Sequence, residues 1–338
     1  MLEMNRVQFS LVVTCRNEMG SLPRWYDNVM AQTRPPDEIV IVDSESTDGT
    51  TEFLRDWEQR DERVRVIVQK CKPARGHNIG NEAAQYEHIL STDMGVRLCP
   101  VWCEELIKPF ESDPEVEIVA GNTQIDKETV RGAVARAEYY IENGGEAEFK
   151  PGFVPGNRSM AYTKKVWREL GGLPEDLTFY ADDSVFGRQM VQAGYKMAYA
   201  PQAMTYWRRP QKLRDFCREA RNYGRGDGEA SIKTPFPFKL WQEGRLPRVL
   251  VPLLTGVRVL QKQVTVASVR RAVKARDVAA LAVMPLYAFC RGFSFGKGYL
   301  VGDAHGEVSC QACRKRLIRQ AETKPDTADE RTTSGIAS

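Results

Sequence analysis

The stretch that decides the fold runs from Phe9-Ser-Leu-Val-Val-Thr-Cys15 through Glu38-Ile-Val-Ile-Val42 to Asp43-Ser-Glu-Ser-Thr-Asp48-Gly-Thr50. Both apolar runs are typical of strands buried on two faces, as in a parallel sheet. A helix-like segment ending near Gln32 separates them, so the stretch predicts a β-α-β unit. Ligands of open α/β sheets lie beyond the carboxyl ends of the strands. We therefore expect the polar residues after each run to face a binding site.

Strands and helices keep alternating as far as about Ala120. A glycine- and asparagine-rich loop is expected between Pro73 and Asn81, before a helix at 81–86. This alternation predicts an α/β fold with a mostly parallel central sheet covered by helices on both faces. The further strands are expected at 64–68, 88–91 and 116–120, with helices at 51–60 and 99–110.

The second half is predicted to be more helical. A basic helix is expected over Lys212–Tyr223, ended by the glycines of 224–228. Two apolar stretches follow, Val249–Leu260 and Val278–Cys290, the second broken by Pro285. Neither reaches the roughly 20 residues that span a bilayer, so buried, amphipathic or interfacial membrane helices are expected. The remaining elements are expected at 131–142, 160–163, 164–170, 182–193 and 195–199.

Composition restricts the function classes. The 338 residues can bury one large core or two modest ones. The net charge is only +3, but 208–276 is clearly basic, which favours a polyanion or an anionic membrane surface as partner. The N-terminus shows no apolar signal region, so we expect a cytoplasmic protein whose eight cysteines are reduced. Cys310-Gln-Ala-Cys313 is a lone pair, which does not favour a zinc site.

Carboxylates recur where predicted strands end. Asp43, Asp48, Asp93 and the pair Asp182–Asp183 lie at such ends or in the loops that follow. Singly, each is typical of a helix cap or turn. Several carboxylates in one cleft would repel each other unless a cation were bound, and Mg²⁺ or Mn²⁺ prefers oxygen ligands and often bridges to phosphates. With Arg75 near the same edge, the pattern favours a nucleoside diphosphate ligand.

The chain resembles the family 2 glycosyltransferases, which are nucleotide-sugar-dependent enzymes of the GT-A fold. The resemblance covers about residues 9–225, and its strength lies in the order and spacing of the motifs rather than in any one motif. The matching stretches are Val12-Val-Thr-Cys-Arg-Asn-Glu18, Ile41-Val-Asp-Ser-Glu-Ser-Thr-Asp-Gly-Thr50, Ala74-Arg-Gly-His-Asn78, Ser91-Thr-Asp-Met-Gly95, Gly171-Gly-Leu-Pro174, and Asp182-Asp-Ser184 before Arg188 and Ala193-Gly-Tyr195.

The resemblance implies a donor-nucleotide site. Asp43 lies where the family's carboxylate hydrogen-bonds the base or ribose, and Asp48 is the second acidic position of that motif. Arg75 and Asn78 match a loop that closes over the nucleotide. The complete implied donor-binding set is Thr14, Arg16, Glu18, Asp43, Asp48, Arg75 and Asn78.

The resemblance also implies a metal ligand and a general base. Asp93 matches the first Asp of the family's Asp-x-Asp motif, but the second position is Gly95, which leaves one carboxylate for a divalent cation, Mg²⁺ or Mn²⁺. Asp183 is the implied base that takes the acceptor's proton during inverting transfer, and Asp182 is expected to support it. Mere helix capping by both residues is the alternative.

Three residues are expected at the diphosphate or the acceptor. Asn157 lies in a loop that faces the sugar or acceptor in the family, and Arg208 and Arg209 lie where many relatives carry a His. Guanidinium groups match phosphate geometry, whereas a surface basic cluster is the alternative. The implied partners are a nucleotide-diphosphate sugar donor and a saccharide or lipid-linked acceptor of cell-surface polysaccharide synthesis. A peripheral contact with the anionic inner face of the membrane is a further partner that the sequence leaves open.

Three other functions stay open on the sequence. A nucleotidyltransferase-like enzyme would use the same carboxylates, although no GxGxxG or GxxxxGK[ST] loop is present. The basic region could instead bind nucleic acid or membrane without catalysis, but it contains no recognisable nucleic-acid module, and we expect no nucleic-acid partner. Gly95 also permits a transferase that binds donor without turnover. The expected domains are a GT-A unit at 7–230, a helical extension at 231–305 and a polar, largely disordered tail at 306–338.

Overall fold

A mixed sheet forms the centre of the protein. The computed structural model describes residues 6–145, 149–150, 152–178, 180–230 and 236–309, with side chains as far as Asp303. Within these residues eight strands form one sheet in the order β3-β2-β1-β4-β7-β6-β8-β5. The strands are β1 (Phe9–Cys15), β2 (Glu38–Asp43), β3 (Val64–Val68), β4 (His88–Ser91), β5 (Val96–Leu98), β6 (Ile118–Ile125), β7 (Met160–Thr163) and β8 (Met197–Trp207).

Helices cover both faces of the sheet and continue beyond it. The first seven are α1 (Leu22–Met30), α2 (Thr50–Arg60), α3 (Pro73–Ala83), α4 (Trp102–Ser112), α5 (Ala133–Ile141), α6 (Lys164–Glu169) and α7 (Asp182–Ala193). The C-terminal helices are α8 (Leu213–Ala230), α9 (Phe238–Gln242), α10 (Leu250–Gln263), α11 (Val266–Lys274) and α12 (Val278–Ser309).

The strand directions place the polar loops at one edge. Strands β3, β2, β1 and β4 are parallel neighbours, and β7 runs against both β4 and β6. Strand β8 is parallel to β6, and the short β5 is antiparallel to β8 at the sheet's end. The predicted mostly parallel sheet covered by helices is confirmed, with β7 and β5 as the reversed strands.

Each face of β1 is buried in its own core. Leu11 and Val13 pack in a cluster with Trp25 and Trp102, whereas Val12 packs on the other side of the sheet with Phe186. Successive side chains of a strand point to opposite faces, so a continuous apolar run is required where both faces are covered. The double burial explains why Phe9–Cys15 carries no polar alternation.

The region expected to be a loop at Pro73–Asn81 is helix α3, and that prediction is wrong. Pro73 lies in the first turn of the helix. Its missing N–H costs no hydrogen bond there, because the first N–H groups of a helix have no partner within the helix. The glycines belong inside the helix: a Cβ added to Gly80 would lie 2.5 Å from Val12 Cγ1, and one on Gly76 3.1 Å from Thr14 Cβ. These glycines let α3 approach β1 closely.

The expected last strand at 195–199 is too short. Strand β8 continues to Trp207, and its pairing with β6 shifts between Gly121 opposite Ala200 and Asn122 opposite Met204. The shift places Pro201 in an irregular part of the strand, where its missing N–H removes no regular ladder bond. The short strand β5 that pairs with the end of β8 was not predicted.

The glycine-rich segment 224–228 does not end the basic helix. Helix α8 continues to Ala230, and a Cβ on Gly224 would lie 2.1 Å from the Phe295 carbonyl oxygen of α12. Conversely, a Cβ added to Gly298 of α12 would lie 1.9 Å from the Arg221 carbonyl oxygen of α8. The two helices therefore touch backbone to backbone, the arrangement that small residues four apart permit. Local sequence predicts a helix end at these glycines because the helix that packs against them, α12, is distant in sequence.

The expectation that no apolar stretch could span a bilayer is also wrong. Helix α12 is 32 residues long with Pro285 inside it, and its segment Val278–Asp303 is long and apolar enough to cross a membrane by length and composition. Such a helix is weak support for a span, because core helices of soluble proteins have the same properties. Residues 306–309 belong to α12 rather than to a tail. Cys310, Cys313 and the rest of 310–338 lie outside the described residues, and the domain limits stay predictions.

Candidate active site

A cavity of about 740 Å³ opens beyond the strand ends. Five of the sequence-predicted residues line it: Thr14, Arg16, Glu18, Asp93 and Arg208. The other lining residues include Ser44, His77, Gly95, Arg158, Thr178, Tyr180, Trp207, Asn222, Arg225 and Glu229. The cavity thus lies between the carboxyl ends of the parallel strands and helix α8, with guanidinium and carboxylate groups on its walls.

The loop after β1 is fixed by the loop after β2. The Glu18 backbone N–H donates to Thr50 Oγ1 at 2.9 Å, and the Met19 N–H donates to Asp48 Oδ2 at 3.1 Å. Asp48 also accepts from the Thr50 hydroxyl at 2.6 Å, which lowers its pKa. Asp48 therefore acts in this structure as a link between the two loops, and it does not line the cavity.

Asp43 lies beneath the same loops. Its side chain is fully buried, and its oxygens accept from the Ser46 hydroxyl at 2.5 Å and from the Thr51 hydroxyl. The carboxylate does not line the cavity, although Ser44 beside it does. A hydrogen bond between Asp43 and a base or ribose stays a prediction. In this structure Asp43 stabilises the loop after β2.

Helix α3 contributes a neutral histidine instead of the expected closing loop. Asn78 is buried, accepting from Trp167 Nε1 at 3.0 Å and donating to the Leu173 oxygen at 2.9 Å. Arg75 is exposed and pairs with Glu175 at 3.2 Å. Both residues tie α3 to the segment before α7 and lie away from the cavity lining. His77 lines the cavity, and burial lowers its pKa to about 4.

One asparagine joins the expected metal ligand to the expected base. Asn157 Nδ2 donates to Asp93 Oδ1 at 2.9 Å, and the Asn157 backbone N–H lies 3.4 Å from Asp183 Oδ2. Asn157 is itself fixed by the Ser91 hydroxyl at 2.5 Å and by His77 Nε2 at 3.0 Å. Asn157 therefore links two carboxylates that are 90 residues apart in sequence. Its side chain contacts Asp93, and its backbone N–H contacts Asp183.

Asp182 and Asp183 open helix α7 in different environments. Burial, and then the neighbouring charge of Asp183, raises the pKa of Asp182 from 3.8 to about 7. Asp183 Oδ1 accepts the Ser184 N–H at 2.7 Å. The residue before the pair, Ala181, has a φ of +71°, a conformation that non-glycine residues rarely adopt and that often accompanies functional sites.

Arg158 is the main site residue that the sequence analysis missed. Its guanidinium carbon lies 4.1 Å from the centre of the Trp207 ring, and Nη2 donates to Tyr223 Oη at 2.8 Å. Nε lies 3.8 Å from Asp93 Oδ2. Arg158 directly follows Asn157 in the sequence, which was the available signal. An aromatic face, a phenol and a carboxylate hold this cation at the cavity.

The two expected diphosphate arginines separate in the structure. Arg208 lines the cavity. Arg209 is buried, with Nη2 2.6 Å from Glu138 Oε1 and Nη1 2.7 Å from Glu219 Oε1. A guanidinium shared by two carboxylates and covered by protein is a structural link between β8, α5 and α8, so Arg208 is the better placed of the pair for phosphate.

Helix α8 forms the wall opposite the strand ends. Arg225 Nε donates to Glu229 Oε1 at 2.9 Å. Buried Glu229 accepts from the backbone and hydroxyl of Thr178. The segment that leads to α7 is thereby anchored to α8 by charged hydrogen bonds, which are among the stronger ones.

The residues at the cavity fit a divalent cation that is held mainly by the phosphates of a bound substrate rather than by protein side chains. Among the described residues, no three His, Cys, Asp or Glu side chains converge as a metal site. Asp93 is 46% exposed at the cavity, and a Cβ added to Gly95 would lie 3.9 Å from Glu18 Oε2. Mg²⁺ is commonly bound through one or two carboxylates together with substrate phosphates and water. Asp93 is sufficient for that arrangement.

The cavity, its strand-end position and its acidic groups can be compared with known proteins. The profile for "Glycosyl transferase family 2" matches residues 10–170, and that for "Glycosyl transferase family group 2" matches residues 97–294. The protein belongs to the family 2 glycosyltransferases. The expected recognition and the expected enzyme class are confirmed, and a nucleotidyltransferase or a non-enzymatic nucleic-acid binder is wrong as its identity.

Relatives and solved structures agree with this family. Poly-beta-1,6-N-acetyl-D-glucosamine synthase of Staphylococcus aureus is 21% identical over 234 residues, which are 67% of this chain and 56% of that protein. The synthase of Staphylococcus epidermidis is also 21% identical, over 68% of this chain and 56% of that protein. The glycosyltransferase described here therefore spans only about half the length of these relatives.

Two solved glycosyltransferases share the fold. The mannosyltransferase PcManGT of Pyrobaculum calidifontis, in complex with GDP-Man and Mn²⁺, matches with a TM-score of 0.56 at 20% identity over 89% of this chain and 88% of that chain. GalNAc-T7, with UDP, GalNAc and Mn²⁺, matches with 0.50 at 15% identity over 72% and 52%. The GT-A fold expected for this glycosyltransferase is confirmed.

Proposed function

We propose that this glycosyltransferase moves a sugar from a nucleoside-diphosphate donor to a hydroxyl of a saccharide or lipid-linked acceptor, with inversion at the anomeric carbon. The observation that carries the proposal is the link Asp93–Asn157–Asp183, which begins at Asp93 on the cavity wall, whereas Asn157 and Asp183 are not among the lining residues. It holds a carboxylate suited to the leaving-group side close to a carboxylate suited to the acceptor side. The GDP-Man and UDP in the matched structures support a nucleotide-linked donor.

The donor would bind along the strand ends. Thr14, Arg16 and Glu18 line the cavity beside β1 and would contact the nucleoside, while Arg158 and Arg208 would face the diphosphate. Guanidinium groups bind phosphate oxygens through paired, charge-assisted hydrogen bonds. Arg158 would do so with little loss of side-chain freedom, because Trp207 and Tyr223 already hold it.

Asp183 would act as the general base. As the acceptor oxygen attacks the anomeric carbon, its proton would pass to Asp183, and the bond from that carbon to the diphosphate oxygen would break. The electron pair leaves with the nucleoside diphosphate, whose charge faces Arg158 and Arg208. Asp182 would stay partly protonated near neutral pH, since its pKa is about 7, and so would add less negative charge beside the base.

A divalent cation, Mg²⁺ or Mn²⁺, would be held by Asp93 together with the donor's diphosphate. When bound, such a cation stabilises the charge that develops on the leaving group. The Mn²⁺ in both matched structures supports this cofactor. Since Asp93 is the only side chain of the expected Asp-x-Asp pair, we expect the cation to bind weakly without donor and tightly with it.

The biological setting would be cell-surface polysaccharide synthesis at the cytoplasmic face of the membrane. The similarity to a poly-N-acetylglucosamine synthase supports a growing saccharide as acceptor. The apolar and basic C-terminal helices support a position next to a membrane, where a lipid-linked acceptor would be found.

A donor panel tests this function. UDP- and GDP-sugars are incubated with the full chain with Mn²⁺, Mg²⁺ or EDTA, and binding is measured by thermal shift and turnover by nucleoside-diphosphate release. A ligand at about 100 times its dissociation constant should raise stability by about 2.7 kcal/mol. We expect one nucleotide class to stabilise the protein and to be turned over when acceptor saccharide is added.

Asp183→Asn separates binding from chemistry. The variant should keep the thermal shift of the native protein and lose release of nucleoside diphosphate. Absence of a shift with every donor would contradict the proposal, and turnover that survives in Asp183→Asn would contradict the assignment of the base.

A further inference from the structure

Helix α11 carries an apolar surface that the rest of the described structure leaves uncovered. Val266, Val269 and Val273 are 76%, 36% and 55% exposed. Spacings of three and four residues place them on one side of the helix. The buried residues of α11 are Ser268 and Ala272, on another side of the helix, and Ala272 packs with Ala137 of α5.

A basic edge runs beside these valines. Arg270 and Lys274 are exposed, lie four residues apart, and follow Val269 and Val273 on the helix. Arg276, two residues after the helix end, is exposed, and Val278 is 75% exposed at the start of α12. An exposed helix side that is apolar in the middle and basic at its edge is typical of helices that lie in a membrane interface. We call Val266, Val269, Val273, Arg270 and Lys274 the α11 surface.

The charge of the surrounding helices favours an anionic partner. Residues 236–303 contain eleven Lys and Arg but three Asp and Glu, although the whole chain has a net charge of only +3. Of these acidic residues, Asp277 pairs with Arg136 at 2.5 Å and Asp303 is buried. The C-terminal helices therefore present positive charge to the solvent, which attracts the negative surface of an anionic bilayer.

We propose that the α11 surface docks this glycosyltransferase onto an anionic membrane leaflet, with the valines among the acyl chains and Arg270 and Lys274 at the headgroups. The contact is peripheral. Helix α12, although long enough to cross a bilayer, touches α8 through Gly298 at the Arg221 oxygen and packs on α10 through Gly296. Inserting α12 across a bilayer would separate these packed backbones.

Helix α11 is connected to the cavity through hydrogen bonds and an ion pair of α5. Arg271 Nε donates to the Tyr140 oxygen of α5 at 2.7 Å, and Glu138, two residues earlier in α5, binds Arg209. Arg209 follows Arg208, which lines the cavity. Docking by α11 would therefore hold the cavity at a fixed distance from the leaflet. This link to a lipid-linked acceptor rests on the proposed function, whereas membrane docking itself does not.

The test is co-sedimentation of the full chain with vesicles, without donor. Vesicles of phosphatidylcholine alone are compared with vesicles containing about one third phosphatidylglycerol, at low and at high salt. We expect at least tenfold stronger retention on the anionic vesicles, lost at high salt. The triple variant Val266→Ser/Val269→Ser/Val273→Ser and the double variant Arg270→Glu/Lys274→Glu should each reduce retention at least tenfold.

Met30→Ser/Val68→Ser is the matched control, because both residues are exposed apolar side chains outside the C-terminal helices. It should bind vesicles like the native protein. All variants should keep the native melting temperature, since the substituted side chains are exposed. Unchanged retention of the triple variant, equal binding to neutral vesicles, or salt-resistant membrane insertion would overturn the proposal.

A second copy of the chain is the other occupant to distinguish. If the triple variant turns a dimer into a monomer in light scattering and leaves vesicle binding unchanged, the α11 surface is a dimer contact and the proposal is wrong. If no donor in the panel binds but vesicle binding still depends on the α11 surface, the proposed donor chemistry is wrong and the membrane-docking proposal is supported.

Discussion

The two walls of the cavity are built in different ways. On the strand-end wall, the loops after β1 and β2 hold each other through hydrogen bonds such as Met19 N–H to Asp48. On the α8 wall, Arg225 and Glu229 are placed by a helix whose glycines touch α12 directly. The first wall depends on short polar loops after strands, whereas the second depends on contacts between segments about 75 residues apart in sequence.

This difference indicates where function can be separated from stability. Two residues beside the strand-end wall that are expected from the sequence to bind the donor, Asp43 and Asp48, are hydrogen-bonded within the protein. Arg158, which stands between the walls, contacts Asp93 on one side and Tyr223 of α8 on the other. Substitutions at this junction should change binding or catalysis, and substitutions behind either wall should change stability.

The largest expected effect is at Asp183, which Asn157 links to Asp93 on the strand-end wall. Asp183→Asn removes the proposed proton acceptor, and loss of a general base typically lowers rate by about 10²- to 10⁴-fold. Donor affinity should stay within about threefold, because the amide keeps the shape of the carboxylate. Steady-state turnover and donor titration measure both quantities. An equal loss of affinity and rate would instead indicate a structural role.

The next effect is at Arg158. Arg158→Gln should weaken binding of UDP or GDP about 10- to 100-fold, since hydrogen bonds to charged groups contribute about 1.5–3 kcal/mol. Binding of the corresponding nucleoside should hardly change, because the nucleoside has no phosphate. Calorimetric titration compares the two ligands. Arg218→Gln, which removes a 71% exposed arginine of α8, is the control and should bind both ligands like the native protein.

A third prediction addresses the glycine contact behind the α8 wall. Gly298→Ala places a methyl group 1.9 Å from the Arg221 oxygen, so α8 and α12 must separate, at an expected loss of about 1–3 kcal/mol of unfolding free energy. Gly20→Ala is the control, because nothing lies within 4 Å of the added Cβ. Chemical denaturation measures both. Native stability in Gly298→Ala would show that the α8 wall does not depend on this contact.

The smallest effect is a pH dependence at Asp182. Its pKa is raised from 3.8 to about 7 by burial and by Asp183, so the folded state keeps a proton that the unfolded state releases in that window. This group therefore lowers stability as the pH rises from about 4 to 7. Asp182→Asn should be about as stable as the native protein at pH 4 and more stable at pH 8, by on the order of 1 kcal/mol. An advantage that does not grow with pH would contradict this environment.

Much of the strand-end wall was predictable. Apolar runs such as Phe9–Cys15 identify buried strands because both faces of the sheet are covered, and polar residues after them must lie at the ligand edge. Thr14, Arg16, Glu18 and Asp93 accordingly line the cavity. The sequence could not tell which polar residues point to solvent and which, like Asp43, are satisfied inside the loop, because that depends on hydroxyls such as that of Thr51.

The helical half was predicted less well. Local sequence predicts a helix end at the glycines of 224–228 and a break at Pro285, yet both lie within helices. Isolated glycine is unfavourable in a helix by about 1 kcal/mol relative to alanine, and here close packing against Phe295 and neighbouring backbone compensates. Local propensity therefore failed wherever a distant helix supplied the stabilising contact.

By itself, the sequence determined the family through the order and spacing of its motifs. It also determined most of the buried strands and the sheet edge at which the acidic groups gather, because those two features follow from local hydrophobic periodicity. The tertiary structure alone decided that Asn157 joins Asp93 to Asp183, that Arg158 stands between the walls, and that Arg209 is buried while Arg208 is not. These outcomes depend on pairings between residues far apart in sequence, which only the packed chain brings within hydrogen-bond distance.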